Sequence, residues 1–497
     1  MTAPKPVFPS GIQPSLDPAR NNAPERVASV HLMGIGGVAM GALAGALKRR
    51  GLAVRGSDGP LYPPMSTFLA DLGIPLAEGY AARNLEPAPD LVIVGNVIRR
   101  DNPEALALAG LGLPYLSLPQ ALAHFFLRGK TSIVVAGTHG KTTTTALIAS
   151  GLMAAGLDPG FLVGGIMRAS GANFREGAGP HFVVEGDEYD TAFFDKRPKF
   201  VHYQPRIGIL TSCEFDHADI YADFDAVRAA FDTFARQLPP SGTLLAWGDD
   251  PEVLARGRAA RCQVLTYGLG AKSDWRLVSA RPAAGGGAEL AMRAPDGQDI
   301  RFFSPLAGEH NALNATATVA ALCAAGLAPA RAAEAQAAFQ GVRRRQEVRG
   351  MAGGVMVVDD FAHHPTAVRE TIRALAGFGL PGWRPGSGRL IAVFEPRTNT
   401  SKRNIFQADY ARAFDGADLV FLREPPGVEG LDPEERFSST RLAAELKARG
   451  MAAQAHPDTD ALLAALLTEL KPGDLCLVMS NGGFENLHQR LLAALTG

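Results

Sequence analysis

A glycine-rich turn between an apolar strand and a helix is the feature that most constrains the fold of this chain. The apolar run Thr131–Ala136 comes first, and a helix-like stretch follows the turn. The turn consists of Gly137, Thr138, His139, Gly140, Lys141, Thr142 and Thr143. Glycines let backbone N–H groups converge on phosphate oxygens, and the helix N-terminus adds partial positive charge. The pattern predicts a nucleotide-phosphate site in which Lys141 reaches the β- and γ-phosphates and Thr142 ligates Mg²⁺.

The match to the phosphate-loop pattern is incomplete. That pattern has a glycine six residues before the lysine, and Val135 occupies the position here. An ordinary helix start that contains Gly-Lys is the alternative. The apolar strand before the turn and the threonine run after it favour nucleotide binding. A nucleotide site alone does not identify the reaction.

Two further apolar runs end in side chains that suit a cation or a phosphoryl group. Glu185 ends one run, and Asp216-His217 follow another. The carboxyl ends of parallel strands meet at one edge of a sheet, so both are expected beside the phosphate loop. The sequence predicts Thr142, Glu185 and His217 as metal ligands. The alternatives are a solvated strand end for Glu185 and a helix-capping or core histidine for His217.

The stretch after Glu185 is rich in acids. Asp187, Glu188 and Asp190 crowd Glu185 within a few residues. We interpret some of them as surface charge. An acid of this cluster, or His217, is a candidate base for an attacking amine.

A second glycine turn lies near the amino terminus, again between a strand-like and a helix-like segment. The turn and the acid-bearing segment after the next strand contain Gly34, Ile35, Gly36, Gly37, Met40, Ser57 and Asp58. The spacing resembles the dinucleotide fingerprint, although a glycine follows the second glycine directly. An NAD-dependent dehydrogenase and a turn without a ligand are the alternatives. A nucleotide-linked substrate here, with ATP in the middle of the chain, favours a ligase or a kinase.

Strand-like and helix-like segments alternate in three blocks, which predicts parallel sheets covered on both faces. The predicted fold class is α/β with three domains. We predict a disordered leader over residues 1–25, a first domain over 26–127, a central domain over 128–341 and a third domain over 342–497. The predicted strands are residues 27–33, 53–56, 91–94, 131–136, 181–184, 207–210, 354–358, 389–394 and 474–479. Residues 283–287 are predicted to form a hairpin or loop, and residues 311–325 a helix.

Composition excludes several classes of protein. The net charge of −1 gives no electrostatic attraction to nucleic acid or to an anionic membrane. The apolar runs fall short of the ~18–20 residues that a membrane span needs. The four cysteines are far apart and indicate neither a zinc site nor a disulfide framework. We therefore expect a cytoplasmic protein that acts on small molecules, without a nucleic-acid or membrane partner.

Five motifs in order resemble those of the Mur ligase family: GTHGKTTTT, EGDEYD, FDHAD, GEHNALNA and DDFAHHPT. The resemblance runs from residue 27 to the end of the chain. It implies a Rossmann-like UDP-substrate domain, a P-loop central ATP-binding domain and a Rossmann-like carboxyl-terminal domain. It also implies a ligase that uses ATP and Mg²⁺ to join an amine to the carboxylate of UDP-N-acetylmuramate through an acyl phosphate.

Several segments are similar to those of the family member that adds the tripeptide L-alanyl-γ-D-glutamyl-meso-diaminopimelate in murein recycling. They are residues 62–67, 189–203, 214–219, 394–400 and 480–484. The alternative is the member that adds L-alanine during peptidoglycan synthesis, which typically shows DESD, PDHMD and FQPHRYTR in the corresponding places. A folylpolyglutamate-synthase-like ligase should lack the amino-terminal glycine turn. A non-enzymatic nucleotide-binding regulator is disfavoured because the motif residues are intact.

Carried over by motif, the resemblance implies roles for individual residues. The implied catalytic residues are Lys141, Glu185, His217, Arg345 and Asp360. The implied ATP contacts are the phosphate-loop residues with His310, Asn311, Arg345 and Asp360. The implied UDP-substrate contacts are Gly34, Ile35, Gly36, Gly37, Met40, Ser57, Asp58 and Asn96.

Two assignments are less direct. Asp359 competes with Asp360 for its role, and Arg397 is predicted from its position alone to contact the tripeptide. Residues 231–232 occupy the region where many relatives carry a carbamylated lysine, and no lysine is present there, as expected for members that use the muramate. The oligomeric state is left open.

Overall fold

The computed structural model describes residues 15–63, 65–218 and 220–496. Three large sheets with helices packed against them confirm the predicted α/β class with three domains. The domain limits themselves stay a prediction. Pro64 and Asp219, which belong to two of the motif segments, lie outside the described residues.

The predicted leader is only partly covered. Residues 1–14 lie outside the described residues. A short 3₁₀ turn forms at Pro18–Arg20, and Asn21 Nδ2 donates to the carbonyl oxygen of Tyr115 at 3.0 Å. This segment therefore packs on the first domain, and the prediction of disorder up to residue 25 is wrong for it.

The first sheet contains five parallel strands. They are β1 (Ser29–Met33), β2 (Ala53–Asp58), β3 (Leu76–Glu78), β4 (Leu91–Val94) and β5 (Tyr115–Ser117). The helices are α1 (Val38–Arg49), α2 (Met65–Asp71), α3 (Pro103–Leu111) and α4 (Leu118–Leu122). The strand order is β3-β2-β1-β4-β5, so the direction of progression reverses between β1 and β4. Ligands of such sheets bind at this point, outside the carboxyl ends of the strands.

The second sheet contains ten strands. In chain order, with a separate hairpin formed by β10 and β11, the strands are β6 (Thr131–Ala136), β7 (Gly160–Leu162), β8 (Phe174–Arg175), β9 (His181–Gly186), β10 (Asp190–Ala192), β11 (Asp195–Pro198), β12 (Ile207–Leu210), β13 (Thr243–Trp247), β14 (Gln263–Gly268), β15 (Trp275–Pro282), β16 (Ala288–Arg293) and β17 (Asp299–Ser304). The helices are α5 (Lys141–Ala154), α6 (Phe224–Gln237), α7 (Pro251–Gly257), α8 (Glu309–Ala324) and α9 (Pro329–Glu334). The strand order is β17-β16-β15-β14-β13-β12-β6-β9-β7-β8.

Strand β6 shows why the centre of this sheet is uniformly apolar. Ile133 and Val135 belong to one buried cluster, whereas Val134 and Ala136 belong to another. Alternate residues of a strand point to opposite faces, so both faces of β6 are covered. A strand buried on both faces shows an unbroken apolar run, which is what the sequence displays before the phosphate loop.

The third sheet contains six strands. They are β18 (Glu347–Ala352), β19 (Val355–Asp360), β20 (Leu390–Phe394), β21 (Leu419–Arg423), β22 (Ala452–His456) and β23 (Leu475–Met479). The helices are α10 (Pro365–Phe378), α11 (Gln407–Ala413), α12 (Ser439–Ala448), α13 (Thr459–Glu469) and α14 (Leu487–Thr496). The order is β18-β19-β23-β20-β21-β22, with only β18 antiparallel to its neighbour.

The predicted elements are present. Each predicted strand exists, with its ends shifted by at most two residues. Residues 283–287 connect the antiparallel strands β15 and β16, which confirms the predicted hairpin. The predicted helix at 311–325 is α8. Within the described part of the chain, every helix is too short or too polar to span a bilayer.

Candidate active site

Three neighbouring parallel strands of the second sheet, β12, β6 and β9, end at one edge. The phosphate loop follows β6, and residues 211–217 follow β12. Glu185 lies at the end of β9, where it pairs in register with Val135 of β6. The structure thus brings together the three segments that the sequence placed at strand ends.

Two glycines shape the phosphate loop. Gly137 has φ +132°, and a Cβ atom there would lie 2.2 Å from Thr211 Oγ1. Gly140 has φ +81°, and a Cβ atom there would lie 2.9 Å from Asn314 Oδ1. A residue with a side chain would be strained in this backbone conformation at either position, and its Cβ atom would lie too close to the neighbouring side chain. The loop therefore keeps a tight curl that directs its N–H groups and the start of α5 at one point.

Replacement of Gly137 by alanine tests this loop. We expect the free alanine loop to relax out of the left-handed conformation. ATP binding must then restore strain of ~1–3 kcal/mol, which weakens binding by roughly 5–150-fold in isothermal titration calorimetry. Gly156→Ala is the matched control, because Gly156 has φ +75° with no heavy atom within 4 Å of an added Cβ. Equal ATP affinity for Gly137→Ala and the wild type would show that the loop does not hold the nucleotide.

Lys141 is held as a cation at the start of α5. Its Nζ lies 2.8 Å from Glu188 Oε2 and donates to the carbonyl oxygen of Gly137 at 2.5 Å. Burial disfavours the ammonium form, but the nearby carboxylates, Glu188 first and then Asp187 and Glu185, together outweigh this effect, so the pKa of Lys141 lies above its usual value. A charged ammonium group is therefore fixed beside the loop amides.

Glu188 is a site residue that sequence reasoning did not separate from its neighbours. It is only 2% exposed, and its Oε1 lies 3.3 Å from His217 Nε2. Burial lowers the pKa of His217, but the contacts with Glu188 and Asp216 raise it above its usual value. One buried carboxylate thus contacts both Lys141 and His217. The signal in the sequence was the acid-rich run after β9, which does not say which acid faces inward.

The neighbouring acids have other partners. Asp187 Oδ2 lies 2.6 Å from Lys199 Nζ. Asp190 Oδ2 lies 2.5 Å from Lys196 Nζ, and the Lys196 side chain is 72% exposed. Glu188 is therefore not one of the acids that are only surface charge, whereas the partly exposed Asp187 and Asp190 each pair with a lysine.

Glu185 contacts Thr142, and Arg345 from the third-domain side contacts the same threonine. Its Oε2 accepts from Thr142 Oγ1 at 3.1 Å, and its Oε1 accepts from Gly164 N–H. Arg345 Nη2 donates to the same Thr142 hydroxyl at 3.2 Å. Burial raises the pKa of Glu185 above its usual value, although the Gly164 N–H and Arg345 oppose this.

These side chains fit a magnesium site. Mg²⁺ prefers oxygen ligands and usually takes one or two carboxylates together with phosphate oxygens and water. Thr142, Glu185 and Glu188 offer such oxygen donors near Lys141, and His217 adds an imidazole nitrogen beside Glu188. The predicted ligand set of Thr142, Glu185 and His217 stays a prediction, to which the geometry adds Glu188.

Asp360 shapes the segment that carries Arg345. Its Oδ2 accepts from Gln346 N–H and its Oδ1 from Ala362 N–H, both at 2.8 Å. The Arg345 guanidinium lies 4.9 Å from the centroid of the Phe361 ring. These contacts hold Arg345 where it reaches the central domain.

Asp359 points elsewhere. Successive strand residues point to opposite faces. Asp359 Oδ1 lies 3.3 Å from His488 Nε2 and 3.5 Å from Arg344 Nε. The geometry therefore favours Asp360 over Asp359 as the acid that acts through Arg345.

Two of the implied ATP contacts, His310 and Asn311, lie at the start of α8. Asn311 is buried, and its Nδ2 donates to the carbonyl oxygen of Ala307 at 2.8 Å. Burial lowers the pKa of His310 to about 4, so its ring is neutral near pH 7. Asn314 Oδ1, one turn further on, accepts from Thr144 Oγ1 at 3.2 Å. Asn314 therefore supports the phosphate loop, a role that the sequence analysis missed although the GEHNALNA motif contains it.

The amino-terminal glycine turn lies where the order of the first sheet reverses. Gly34 has φ +78°, and its N–H donates to the carbonyl oxygen of Ser57 at 2.8 Å. Gly36 N–H donates to Asp58 Oδ2 at 2.6 Å, and a Cβ atom on Gly36 would lie 2.2 Å from Leu61. This is the position and form of turn that nucleotide-binding sheets use.

Three of the predicted substrate residues turn inward. Ile35, Met40 and Ser57 are 0%, 5% and 0% exposed. The Ser57 hydroxyl donates to Glu104 Oε1 at 2.9 Å. These buried side chains pack beneath the turn, and the implied contacts of these residues with the substrate stay a prediction. Asn96 is exposed just after β4, and its contact with a substrate stays a prediction.

Arg397 lies in the loop after β20 at the carboxyl edge of the third sheet. Its side chain is 44% exposed, and a Cβ atom on Gly482 would lie 2.3 Å from Arg397 Cδ. Behind it, the buried Glu395 carboxylate lies 2.6 Å from Arg423 Nη1. An accessible guanidinium above a buried ion pair suits an anionic ligand, and the tripeptide contact stays a prediction.

Comparison with known protein families gives three consecutive matches along the chain. Residues 29–130 match the model described as "Mur ligase family, catalytic domain". Residues 135–322 match "Mur ligase middle domain", and residues 344–482 match "Mur ligase, glutamate ligase domain".

Two curated relatives and one solved structure are similar over nearly the whole chain. The UDP-N-acetylmuramate–L-alanyl-γ-D-glutamyl-meso-2,6-diaminoheptandioate ligase of Escherichia coli is 42% identical over 467 residues, or 94% of this chain and 98% of the relative. The UDP-N-acetylmuramate–L-alanine ligase of Kineococcus radiotolerans is 37% identical over 483 residues, or 95% of this chain and 97% of the relative. The crystal structure of a murein peptide ligase from Psychrobacter arcticus is 34% identical with a TM-score of 0.69, and covers 94% of this chain and 98% of its own.

Proposed function

The chain belongs to the Mur ligase family, and on that premise we propose that it ligates L-alanyl-γ-D-glutamyl-meso-diaminopimelate to UDP-N-acetylmuramate. Conversion of ATP to ADP and phosphate drives the reaction, and the product returns a recycled murein peptide to peptidoglycan synthesis. The observation that carries the proposal is the meeting of Lys141, Glu188 and Thr142 with Arg345, which reaches Thr142 from the third-domain side. The 42% identical relative, named for this reaction, supports the choice of amine.

The first chemical step activates the muramate carboxylate. A carboxylate resists an amine because it is anionic and has a poor leaving group. Transfer of the γ-phosphoryl group gives an acyl phosphate, and such a transfer depends mainly on positioning and charge stabilisation. Lys141 and the loop amides offset charge on the phosphates, while Arg345 approaches the same point from the opposite side of the cleft.

The second step forms the amide. The neutral amine adds to the acyl carbonyl, the tetrahedral intermediate expels phosphate, and a base takes the amine proton. We propose an acid of the run after β9, or His217, as this base. Asp216 is unsuited to it, because burial is outweighed by the neighbouring histidines, led by His217, which together lower the pKa of Asp216 to about 2, far below the value near neutrality that favours a base.

Bound Mg²⁺ would neutralise charge on the triphosphate. Thr142, Glu185, Glu188 and His217 are the residues that we propose to hold it. The contact of Arg345 with Thr142 closes the nucleotide side of the cleft. Closure excludes water, which would otherwise hydrolyse the acyl phosphate. The required substrates, ATP and a UDP-linked sugar acid, and the four free cysteines suit the cytoplasm.

The choice between tripeptide and L-alanine is tested by feeding each amine with ATP and UDP-N-acetylmuramate. We expect kcat/KM for the tripeptide, from ADP release and mass spectrometry of the product, to exceed that for L-alanine by at least ~10²-fold, because groups that pair with the peptide are left unpaired by alanine. The alanine-adding activity is the second candidate, since a 37% identical relative carries that name. Turnover with L-alanine and none with the tripeptide would establish it instead.

A further inference from the structure

A cavity lies at the edge of the second sheet opposite the phosphate loop. Its volume is about 890 Å³, a size typical of small-molecule sites, which often lie where domains meet. Segment 123–130, which leads from the first sheet to the second, forms one wall, and the amino-terminal ends of β6 and β12 with the end of α6 form the rest. Strand β6 has 6 residues, so the cavity lies ~20 Å from the phosphate loop. It is therefore separate from the candidate active site.

The wall of this cavity carries cations and no acid. Arg128, Lys130 and Arg206 line it, and no aspartate or glutamate of the described chain does so. Neither arginine forms an ion pair with another described residue. The carboxylate of Glu176, a neighbour of Lys130, is already paired with Arg50 at 2.6 Å. The cavity therefore presents positive charge that the protein leaves without a counter-charge.

The two histidines of the cavity are neutral near pH 7. Burial lowers the pKa of His124, and Arg128 adds to this effect. Burial also lowers the pKa of His202 and outweighs the opposing effect of Asp195. Asp195 itself pairs with Arg197 at 2.7 Å. The positive charge of the cavity therefore comes from the two arginines and the lysine, and the imidazoles add neutral polar groups.

The segment between the two sheets contains a π-helical turn beside the cavity. Residues Ala123–Leu127 form this turn, which Arg128 N–H closes by donating to the carbonyl oxygen of Ala123 at 3.1 Å. Turns of this kind are rare and occur frequently at functional sites. Lys130 Nζ donates to the carbonyl oxygens of Glu176 at 3.0 Å and Gly177 at 2.5 Å. An ammonium group has three N–H donors, so Lys130 keeps one for a ligand.

We propose that this cavity binds a small anion with several negative charges, of the phosphate-ester or the polycarboxylate type. Guanidinium groups bind both types of anion through paired N–H donors. The net charge of the chain is −1, so the attraction is local to the cavity. Arg128 belongs to the segment between the sheets and Arg206 directly precedes β12, so a bound anion bridges the two. The site does not rest on the proposed ligation reaction.

Binding of radiolabelled pyrophosphate and of radiolabelled citrate to the full-length protein tests the cavity. Each probe is measured by equilibrium dialysis without divalent cations. Pyrophosphate can also bind at the phosphate loop, so only the binding that the cavity variants lose is assigned to the cavity. Arg128→Gln and Arg206→Gln should each weaken that binding by at least ~10-fold, because a hydrogen bond between charged groups is worth about that factor or more.

Two further variants act as controls. Arg412→Gln removes the same charge from an exposed position on α11 of the third sheet, outside the cavity. Its affinity for both probes should equal that of the wild type. Lys141→Ala alters the phosphate loop and should leave binding at the cavity unchanged. Thermal unfolding of every variant shows whether it is folded.

The results decide the proposal. Weaker binding of a probe in both cavity variants, with Arg412→Gln unchanged, supports the site. Tighter binding of pyrophosphate than of citrate at that site identifies a phosphate ester as the ligand type, and the reverse identifies a polycarboxylate. Equal affinity for both probes in the wild type and in a folded Arg128→Gln or Arg206→Gln variant overturns the proposal. An equal loss in Arg412→Gln, or no binding of either probe to the wild type, also overturns it.

Discussion

Lys141→Ala is expected to abolish ligation, with kcat falling by roughly 10³-fold or more. The substitution removes the ammonium group that the loop carbonyls and Glu188 hold in place. Without it, charge on the transferring phosphoryl group is met only by backbone dipoles and the cation. ADP release and mass spectrometry of the amide product measure the loss.

Substrate binding distinguishes a loss of chemistry from a loss of fold. The UDP moiety is assigned to the first domain, so the affinity for UDP-N-acetylmuramate should survive Lys141→Ala in isothermal titration calorimetry. Lys196→Ala is the matched control, because this lysine pairs with Asp190 and is 72% exposed. Ligation near the wild-type rate in the Lys141 variant would refute the assignment of the phosphate loop.

Glu188→Gln is expected to lower kcat by roughly 10²-fold and to raise the Mg²⁺ concentration needed for half-maximal rate. Glutamine keeps the size of the side chain but removes the charge that faces Lys141 and His217. Lys141 then lacks its buried counter-charge, and a cation between Glu188 and His217 loses an anionic ligand. Steady-state rates over a Mg²⁺ titration measure both effects.

Asp190→Asn is the matched control for this substitution. Asp190 comes from the same acid-rich run but pairs with the exposed Lys196, so its loss should leave the Mg²⁺ titration unchanged. If Glu188→Gln keeps both the wild-type rate and the wild-type Mg²⁺ response, Glu188 is a structural ion-pair partner only.

The order of elements was predictable because each depends on a local pattern. Strand β6 and the phosphate loop follow from an apolar run, two glycines and a helix start that are continuous in the chain. The hairpin between β15 and β16 follows in the same way from a run of glycines. The observed strand ends differ from the predicted ends by up to two residues. The reason is that the last residues of a strand depend on the neighbouring strand with which they pair.

The candidate site was predictable only in part. The sequence placed Glu185 and His217 at strand ends beside Lys141, and the sheet order brings them there. It did not distinguish Glu188 from Asp190, because inward or outward direction depends on how the segment after β9 packs. It named Ser57 as a substrate contact, but it did not show that the Ser57 side chain is buried and bonds Glu104.

The sequence by itself determined the α/β class, the phosphate loop and the family, because these depend on short continuous patterns whose physical meaning does not require a partner. Only the tertiary structure decided that Glu188 contacts both Lys141 and His217, and that Arg206 lines the same cavity as Arg128 and Lys130. Those arrangements join segments far apart in the chain. Their geometry depends on the order of the parallel strands, which brings distant segments together at each edge of the sheet.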